Sequence, residues 1–243
     1  MSAAQPDPPT PFDDGALYDV FFEDFDTGLD FYMDLARAAD GPVLDVACGT
    51  GRIMLPCLKE GLDVDGLDLS PAMIARLWEK ADAAGFRPQL HEAGMAEFRL
   101  PRRYALIIIP FNAFVHNLTT GDQIATLVRC REHLEPGGQL AFDTFFPGAA
   151  LITAPDGIRN LEAEACHPET GLLVRMYDSH TLDRVEQLMH SSMEFEFLDA
   201  TGRVMETRSC QTTTRWIYKG EMDLLLRTSG FARWRISGGF DGR

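Results

Sequence analysis

The sequence predicts an α/β fold, in which a doubly wound and mostly parallel sheet carries an antiparallel β insertion after strand five. Apolar strand segments alternate with helical segments in the first part of the chain, as in repeated strand–helix–strand units. The apolar run 104–109 is typical of a parallel strand that helices cover on both faces. After Pro147, segments such as Met193-Glu-Phe-Glu-Phe197 alternate with period two, which predicts a half-buried antiparallel sheet.

This pattern divides the chain into three regions. Residues 1–147 are expected to hold N-terminal helices and the α/β core. Residues 148–217 are expected to form the antiparallel insertion, as a substrate lid or a dimer contact. Residues 218–243 are expected to supply the last helix and the last strand of the core. A hydrophobic content of 45% over 243 residues fits this single globular unit.

The elements of the first region are predicted in order from caps, turns and periodicity. Residues 1–13 are expected to be a disordered arm, and two short helices over 13–39 break near Gly28. Ser70 is expected to cap the helix that begins with Pro71, and Thr120-Gly-Asp-Gln123 resembles a capping box. The predicted strands are 42–46, 63–67, 89–92, 104–109 and 139–145, and the predicted helices between them are 53–59, 71–81 and 120–134.

The later elements are shorter and mostly β. The predicted β segments are 162–165, 172–179, 184–197 and 203–218, with a hairpin turn at 199–202. A helix over 221–226 follows, Gly230 ends it, and a last strand is expected at Ala232–Ile236.

The composition excludes several classes of partner. A formal net charge of −15 disfavours binding to nucleic acid or to an anionic membrane. Five cysteines without a C-x-x-C pair predict reduced thiols, a cytoplasmic location and no metal site. No signal peptide is recognisable, and no apolar run reaches the length of a membrane span.

The segment from Val43 to Arg52 carries the strongest functional signal. An apolar strand enters a turn with Gly49 and Gly51, whose backbone can approach a ligand closely. Alone, such a turn is most often only a turn. A dinucleotide fingerprint needs a third glycine where Met54 stands, and the carboxylate of Asp45 would face a pyrophosphate unfavourably. Asp45 suits a cationic ligand, and Asp68 after the second strand suits ribose hydroxyls, so the pattern favours S-adenosylmethionine.

Three segments resemble class I S-adenosylmethionine-dependent methyltransferases: Asp45-Val-Ala-Cys-Gly-Thr-Gly-Arg52, Asp68-Leu-Ser-Pro-Ala-Met73, and Leu134-Glu-Pro-Gly-Gly138 before an apolar strand. The resemblance covers about 16–147 and 217–240, and it implies the Rossmann-like methyltransferase fold. The aromatic segment 17–22 and the β-rich insertion are similar to small-molecule methyltransferases, including those that N-methylate amino sugars.

The resemblance implies a set of cofactor contacts. The methionine part would lie at the turn, against Asp45, Ala47, Cys48, Gly49, Gly51 and Arg52. Asp68 would bind both ribose hydroxyls, and Leu69 and Met73 would flank the adenine. Related chains often place an acidic residue after the third strand, where this chain has Ala93-Gly-Met-Ala96. The backbone of Met95 and Ala96 is therefore expected to hold the adenine, and Pro110 at the end of strand four completes the site.

Two residues are candidates for catalysis. His116 lies in the loop after strand four, where the acceptor should bind, and is the expected general base or substrate contact. The alternative is a histidine bonded to nearby backbone. Tyr18 is the second candidate because the resemblance implies that the N-terminal helices cover the cofactor, and the alternative is core packing. The segment Ile109-Pro-Phe-Asn112 differs from the Asp- or Asn-Pro-Pro-aromatic segment of nucleobase amino-methyltransferases.

The sequence thus predicts transfer of a methyl group from S-adenosylmethionine, which leaves as S-adenosylhomocysteine, to the N or O of a small metabolite. An NAD-type oxidoreductase and a non-catalytic S-adenosylmethionine-binding protein are the alternatives. The acceptor is expected to be a small molecule rather than nucleic acid or membrane, and the sequence does not decide between a monomer and a homodimer.

Overall fold

The computed structural model describes residues 8–241. Its centre is a five-stranded parallel sheet with the strand order β3-β2-β1-β4-β5. The strands are β1 (Val43–Val46), β2 (Val64–Asp68), β3 (Gln89–Glu92), β4 (Tyr104–Ile109) and β5 (Leu134–Phe142). The order reverses beside β1, so the loops after β1 and β4 meet at the switch point, where such sheets bind ligands.

Helices cover both faces of this sheet. The α-helices of residues 8–241 are α1 (Gly15–Phe22), α2 (Leu29–Ala38), α3 (Met54–Lys59), α4 (Pro71–Ala83), α5 (Thr120–His133), the short α6 (Ala149–Thr153) and α7 (Lys219–Thr228). Ser70 caps α4 as predicted, by accepting the Met73 N–H at 3.2 Å. Thr119 rather than Thr120 caps α5, since its hydroxyl accepts the Asp122 N–H at 3.1 Å. Buried clusters on either face of the strands form the core.

A second sheet follows β5 and is antiparallel, with the order β6-β7-β8-β9. Its strands are β6 (Asn160–Cys166), β7 (Leu173–Asp183), β8 (Leu188–Leu198) and β9 (Val204–Arg215). Val174, Phe195 and Phe197 are buried on one face and pack with Leu17 of α1. We call this the inner face. The predicted fold class, a parallel sheet with an antiparallel insertion after strand five, is therefore confirmed.

Some sequence predictions are wrong. The predicted strand Ala232–Ile236 does not form, and α7 is the last helix or strand up to residue 241. The Trp234 indole instead donates to Asp223 on α7 at 2.8 Å, and Phe231 packs on the core, so these aromatic side chains hold the segment against α7. The strand β5 begins at Leu134, before the Pro-Gly-Gly turn, rather than at residue 139.

The predicted disordered arm is also partly wrong. Residues 1–7 lie outside the described part of the chain, but residues 8–13 are fixed by contacts. The Gln211 N–H on β9 donates to the Pro9 carbonyl at 2.8 Å, and the Ser70 hydroxyl donates to the Phe12 carbonyl at 2.6 Å. Within residues 8–241 no helix is long and apolar enough to cross a membrane.

Candidate active site

The loop after β1 has the backbone of a ligand-binding turn. Ala47, Gly49 and Gly51 have φ values of 58°, 55° and 94°, in the left-handed region that favours glycine. A Cβ on Gly51 would lie 2.2 Å from Leu77 Cδ1, so helix packing excludes a side chain there. A Cβ on Gly49 would meet no atom within 4 Å. The loop therefore leaves open space beside Gly49 for a ligand.

Asp45 is a buried carboxylate without a partner. It lies in β1 with 1% of its surface exposed, and neither of its oxygens has a hydrogen-bond partner of normal geometry among the described residues. Burial raises the pKa of Asp45 to about 7, and the nearby Asp68 adds to the rise, while Arg52 and the Met54 N–H oppose it. A buried, orphaned carboxylate is costly unless a cation or donor pairs with it. The ammonium of a methionine group is such a partner.

Asp68 ends β2 and faces the same loop. One of its oxygens accepts the Gly49 N–H at 2.8 Å, and the other accepts the Ser70 N–H at 2.8 Å. Burial raises the pKa of Asp68, and these backbone hydrogen bonds oppose the rise. Each carboxylate oxygen can accept a further hydrogen bond, so the group can also serve a pair of hydroxyls.

The residues expected around the adenine differ in exposure. Leu69 is 71% exposed and offers an apolar surface beside Asp68, whereas Met73 is 1% exposed and packed into the core. Met95 and Ala96 are partly buried, and the Met95 sulfur accepts from the Asn117 side-chain amide at 3.0 Å. A Cβ on the nearby Gly94 would meet no atom within 4 Å, so there is open space after β3 as well.

The remaining predicted cofactor residues lie around the loop. Cys48 is buried, and burial holds the pKa of its thiol well above the usual value, so it is not a nucleophile. Pro110 is buried directly after β4. The Arg52 guanidinium lies 4.9 Å from the centroid of the Phe111 ring and donates to the carbonyls of Phe25 at 3.3 Å and Thr27 at 3.2 Å. Arg52 thus ties the loop to the chain between α1 and α2.

A buried charge cluster that the sequence did not predict holds α1 over this loop. Asp19 on α1 accepts from the Thr50 hydroxyl at 2.6 Å and from Arg76 Nε at 2.8 Å. Lys80 completes the cluster at 3.3 Å. Asp19 is 6% exposed, and its partners lie on α4 and in the glycine loop. The helix that carries Tyr18 is therefore fixed to the cofactor loop, and Thr50 inside the first motif was the available signal.

Both catalytic candidates contact one aromatic ring. Phe12 lies with its ring centroid 6.2 Å from that of Tyr18 and 5.2 Å from that of His116. Burial lowers the pKa of His116, and a hydrogen bond with the Thr213 backbone opposes the change, so His116 is neutral at pH 7. Burial raises the pKa of Tyr18 to about 12, so its phenol stays protonated. His116 is able to accept a proton, whereas Tyr18 is a hydrogen-bond donor.

The loop after β4 is held by a carboxylate that the sequence did not predict. Phe111 and Asn112 have φ values of 59° and 58°, which is strained for residues with a Cβ. Asp143, just beyond β5, accepts both of their N–H groups at 2.8 Å. The hydroxyl of Tyr32 on α2, a fully buried side chain, donates to the same carboxylate at 2.6 Å. This clamp sets the path of the chain that leads to His116.

A cavity of about 390 Å³ lies between α1, residues 9–14 and the inner face of the second sheet. Tyr18, Phe22, Phe195 and Cys210 are among its lining residues, and Arg208 in its wall is paired with Asp14 at 3.0 Å. The cavity is therefore next to one of the catalytic candidates. Within residues 8–241, no cluster of three His, Cys, Asp or Glu side chains has the arrangement of a metal site.

The site fits S-adenosylmethionine better than a dinucleotide. An orphaned carboxylate at Asp45 meets a cation, whereas it would repel a pyrophosphate at the same loop. Asp68 and the open spaces at Gly49 and Gly94 lie where the remaining parts of the ligand would extend.

Comparisons with known proteins show similarity to methyltransferases. Residues 43–138 match the family model described as a methyltransferase domain. The chain is 30% identical, over 141 residues, to the dTDP-3-amino-3,4,6-trideoxy-alpha-D-glucopyranose N,N-dimethyltransferase of Streptomyces venezuelae, a match that covers 55% of this chain and 58% of that protein. The chain spans only about half the length of the curated relatives that it matches.

Two methyltransferases are among the solved structures that are similar over most of the chain. The CcbJ methyltransferase from Streptomyces caelestis is 26% identical, with a TM-score of 0.71 and coverage of 99% of this chain and 87% of that one. The S-adenosylmethionine-bound CalS10, an amino pentose methyltransferase from Micromonospora echinaspora, is 24% identical, with a TM-score of 0.68 and coverage of 88% and 86%. The predicted resemblance to class I S-adenosylmethionine-dependent methyltransferases is confirmed.

Proposed function

From the methyltransferase domain that this chain carries over residues 43–138, we propose that the protein transfers a methyl group from S-adenosylmethionine to a nitrogen or oxygen of a small metabolite. The observation that carries this proposal is the buried, unpartnered carboxylate of Asp45 beside an open glycine loop. It is the charge that an ammonium-bearing donor requires and that a nicotinamide dinucleotide would avoid. The oxidoreductase alternative is therefore disfavoured.

The proposed donor site joins the three loops that follow β1, β2 and β3. Asp45 pairs with the ammonium, and the Ala47–Gly51 backbone passes along the methionine part. Asp68 accepts the ribose hydroxyls, as expected for a carboxylate at the end of β2. Leu69, Met95 and Ala96 border the adenine. Met73 supports this wall from the core, because it is 1% exposed and offers no open surface.

The chain's part in the chemistry is alignment and proton removal. When bound, S-adenosylmethionine supplies a sulfonium-activated methyl group and leaves as S-adenosylhomocysteine. The Asp143 clamp and the Asp19 cluster fix the two segments that carry His116 and Tyr18, which limits the motion of an acceptor held between them. His116 is neutral at pH 7 and takes the proton that an attacking amine or hydroxyl loses. Tyr18 donates a hydrogen bond from its protonated phenol.

We infer that the acceptor is an amine-bearing sugar or a compound of similar polarity. The support is the activity of the Streptomyces venezuelae relative, which dimethylates the nitrogen of a nucleotide-linked amino sugar, and the presence of a base with a lowered pKa. Nucleic acid is an unsuitable acceptor for a chain of net charge −15. A cytoplasmic location and a homodimer remain predictions.

The test is a transfer assay with isotope-labelled S-adenosylmethionine and a metabolite extract, analysed by mass spectrometry for label-shifted products. We expect label in one or a few small polar amines or hydroxyl compounds, and none with an Asp45→Asn, Asp68→Ala double variant. If the wild-type protein binds S-adenosylmethionine but labels nothing, the non-catalytic binding alternative is favoured instead.

A further inference from the structure

The inner face of the second sheet changes from apolar to polar along its strands. Its apolar part packs on α1 through Val174, Phe195 and Phe197. Met176 still belongs to this apolar part, and the positions after it on the same face of β7 are Asp178 and His180. The strand register aligns Asp178 with Met193 and Cys210, and His180 with Ser191 and Thr212. A polar patch thus lies in the middle of the sheet, beyond the contact with α1.

Asp178 and His180 face each other and leave two atoms without partners. The Asp178 Oδ2 lies 3.7 Å from His180 Nδ1. Asp178 Oδ1 and His180 Nε2 are both buried, and neither has a hydrogen-bond partner among the described residues. Burial raises the pKa of Asp178, and His180 opposes the rise. Because buried polar atoms are nearly always hydrogen-bonded, each of these two atoms is expected to have a partner outside the chain.

The row of Asp178 reaches the cavity beside Tyr18. Cys210, at the end of that row, lines the cavity together with Tyr18 and Phe195. Burial raises the pKa of the Cys210 thiol to about 11, and the charges of Asp13 and Asp178 add to the rise. The charge of Asp178 therefore acts on a side chain that lines the cavity.

The row of His180 reaches the other catalytic candidate. Thr212 ends that row on β9, and His116 is hydrogen-bonded to the backbone of the next residue, Thr213. The two rows thus connect the neighbourhood of Tyr18 with that of His116. The Phe12 ring contacts both Tyr18 and His116, so one aromatic side chain links the two neighbourhoods.

The unpartnered atoms indicate the chemistry of a ligand. Asp178 Oδ1 is a carboxylate acceptor. His180 Nε2 is also an acceptor when the imidazole is neutral and its Nδ1 carries the proton that faces Asp178. Two acceptors on neighbouring side chains suit a ligand with two neighbouring donors, such as adjacent hydroxyls or a hydroxyl beside an ammonium.

We propose that Asp178 and His180 form the acceptor subsite, which binds two neighbouring donor groups of a hydroxylated amine whose nitrogen is methylated between Tyr18 and His116. The inference rests on the proposed methyltransferase function and specifies its substrate class. It assigns to the antiparallel insertion the recognition of the part of the acceptor that does not react.

The experiment uses the full chain with three probes: free 3-amino-3-deoxyglucose, its thymidine diphosphate-linked form, and cyclohexylamine, which has no hydroxyls. Methyl transfer from labelled S-adenosylmethionine gives kcat and KM, and calorimetry gives the affinity for S-adenosylmethionine. The variants are Asp178→Asn and His180→Gln, and thermal melting checks that each is folded. His190→Gln is the matched control, because His190 is exposed on the opposite face of β8.

We expect at least one amino sugar to be methylated much faster than cyclohexylamine. Asp178→Asn and His180→Gln should each raise its KM by about 10- to 100-fold, with little change in kcat. Neither should change the affinity for S-adenosylmethionine, and His190→Gln should behave as wild type. The free and nucleotide-linked probes then show in which form the acceptor is bound.

The proposal is overturned if folded Asp178→Asn and His180→Gln variants keep the wild-type KM, or if cyclohexylamine is as good a substrate as the sugars. It is equally overturned if S-adenosylmethionine binds and neither sugar is methylated. Failure of the wild-type protein to bind S-adenosylmethionine would instead remove the proposed function itself, so the two failures are distinguishable.

Discussion

Replacing Asp45 by asparagine should make the unliganded protein more stable and its donor binding weaker. Asp45 is buried without a hydrogen-bond partner of normal geometry, and its pKa rises from an ordinary 3.8 to about 7. A rise of that size disfavours the ionised folded state by roughly 4 kcal/mol. Asparagine has nearly the same shape and carries no charge, so at pH 8 the variant gains part of this energy.

The pH dependence of this gain has a definite sign. Because the pKa of Asp45 is raised in the folded state, its contribution to stability is fully present below pH 4 and is lost as the pH rises through about 7. Asparagine does not titrate. The stability advantage of Asp45→Asn over wild type should therefore grow by roughly 2–3 kcal/mol between pH 5 and pH 8. Urea unfolding of both proteins at the two pH values measures it.

Calorimetry measures the second expected effect of Asp45→Asn, which is weaker binding of the donor. Loss of a charge-assisted contact with the ammonium should weaken binding of S-adenosylmethionine by about 10- to 150-fold. Asp65→Asn is the matched control, because Asp65 is a buried carboxylate in β2 that is already satisfied by Tyr104 at 2.8 Å and by Arg102. It should lose about 1–3 kcal/mol of stability and keep its affinity for the donor. An Asp45→Asn variant that is less stable than wild type at pH 8, or binds the donor equally well, would refute the reasoning.

Substitutions at three further positions test the other parts of the site. Asp68→Ala should weaken S-adenosylmethionine binding by about 30- to 150-fold in calorimetry, through loss of roughly 2–3 kcal/mol of hydrogen bonding to the ribose, and an unchanged affinity would contradict that role. His116→Ala should lower kcat by about 10²- to 10⁴-fold and leave the donor affinity unchanged. Because burial lowers the pKa of His116, the acid limb of the wild-type pH–rate profile should lie below pH 6.5. Full turnover of the variant across the pH range would exclude His116 as the base. Asp143→Ala should lower the free energy of unfolding in urea by about 1–3 kcal/mol for each of the two N–H groups left unpaired, at Phe111 and Asn112. Asp143→Asn should have a smaller effect. Equal stability of the wild-type protein and both variants would argue against the clamp.

The sequence predicts the fold well where local signals and global packing agree. The continuous apolar strand 104–109, the Ser70 cap and the period-two segment 193–197 each gave the right element. The strand expected at Ala232–Ile236 fails because its alternation is also compatible with packing on a helix. The indole of Trp234 bonds to Asp223 of α7, a tertiary contact that periodicity does not contain.

The same distinction between local signals and tertiary contacts holds for the candidate site. Residues near Asp45 and Asp68 are predictable because the loops after neighbouring parallel strands meet in space. The Asp19 cluster and the Asp143 clamp join residues that lie between 31 and 111 positions apart, and no local pattern marks those pairs. The Asp178–His180 pair was missed because an alternating strand predicts a face, whereas the partner of that face depends on how the two sheets pack.

We propose that the loop after β1 binds a cationic methyl donor. Calorimetric titration of the same protein sample with S-adenosylmethionine and with NAD tests it most directly. A single-site isotherm for S-adenosylmethionine, with NAD binding far more weakly or not at all, is the predicted result. Tighter binding of NAD, or no heat of binding with S-adenosylmethionine, would contradict it.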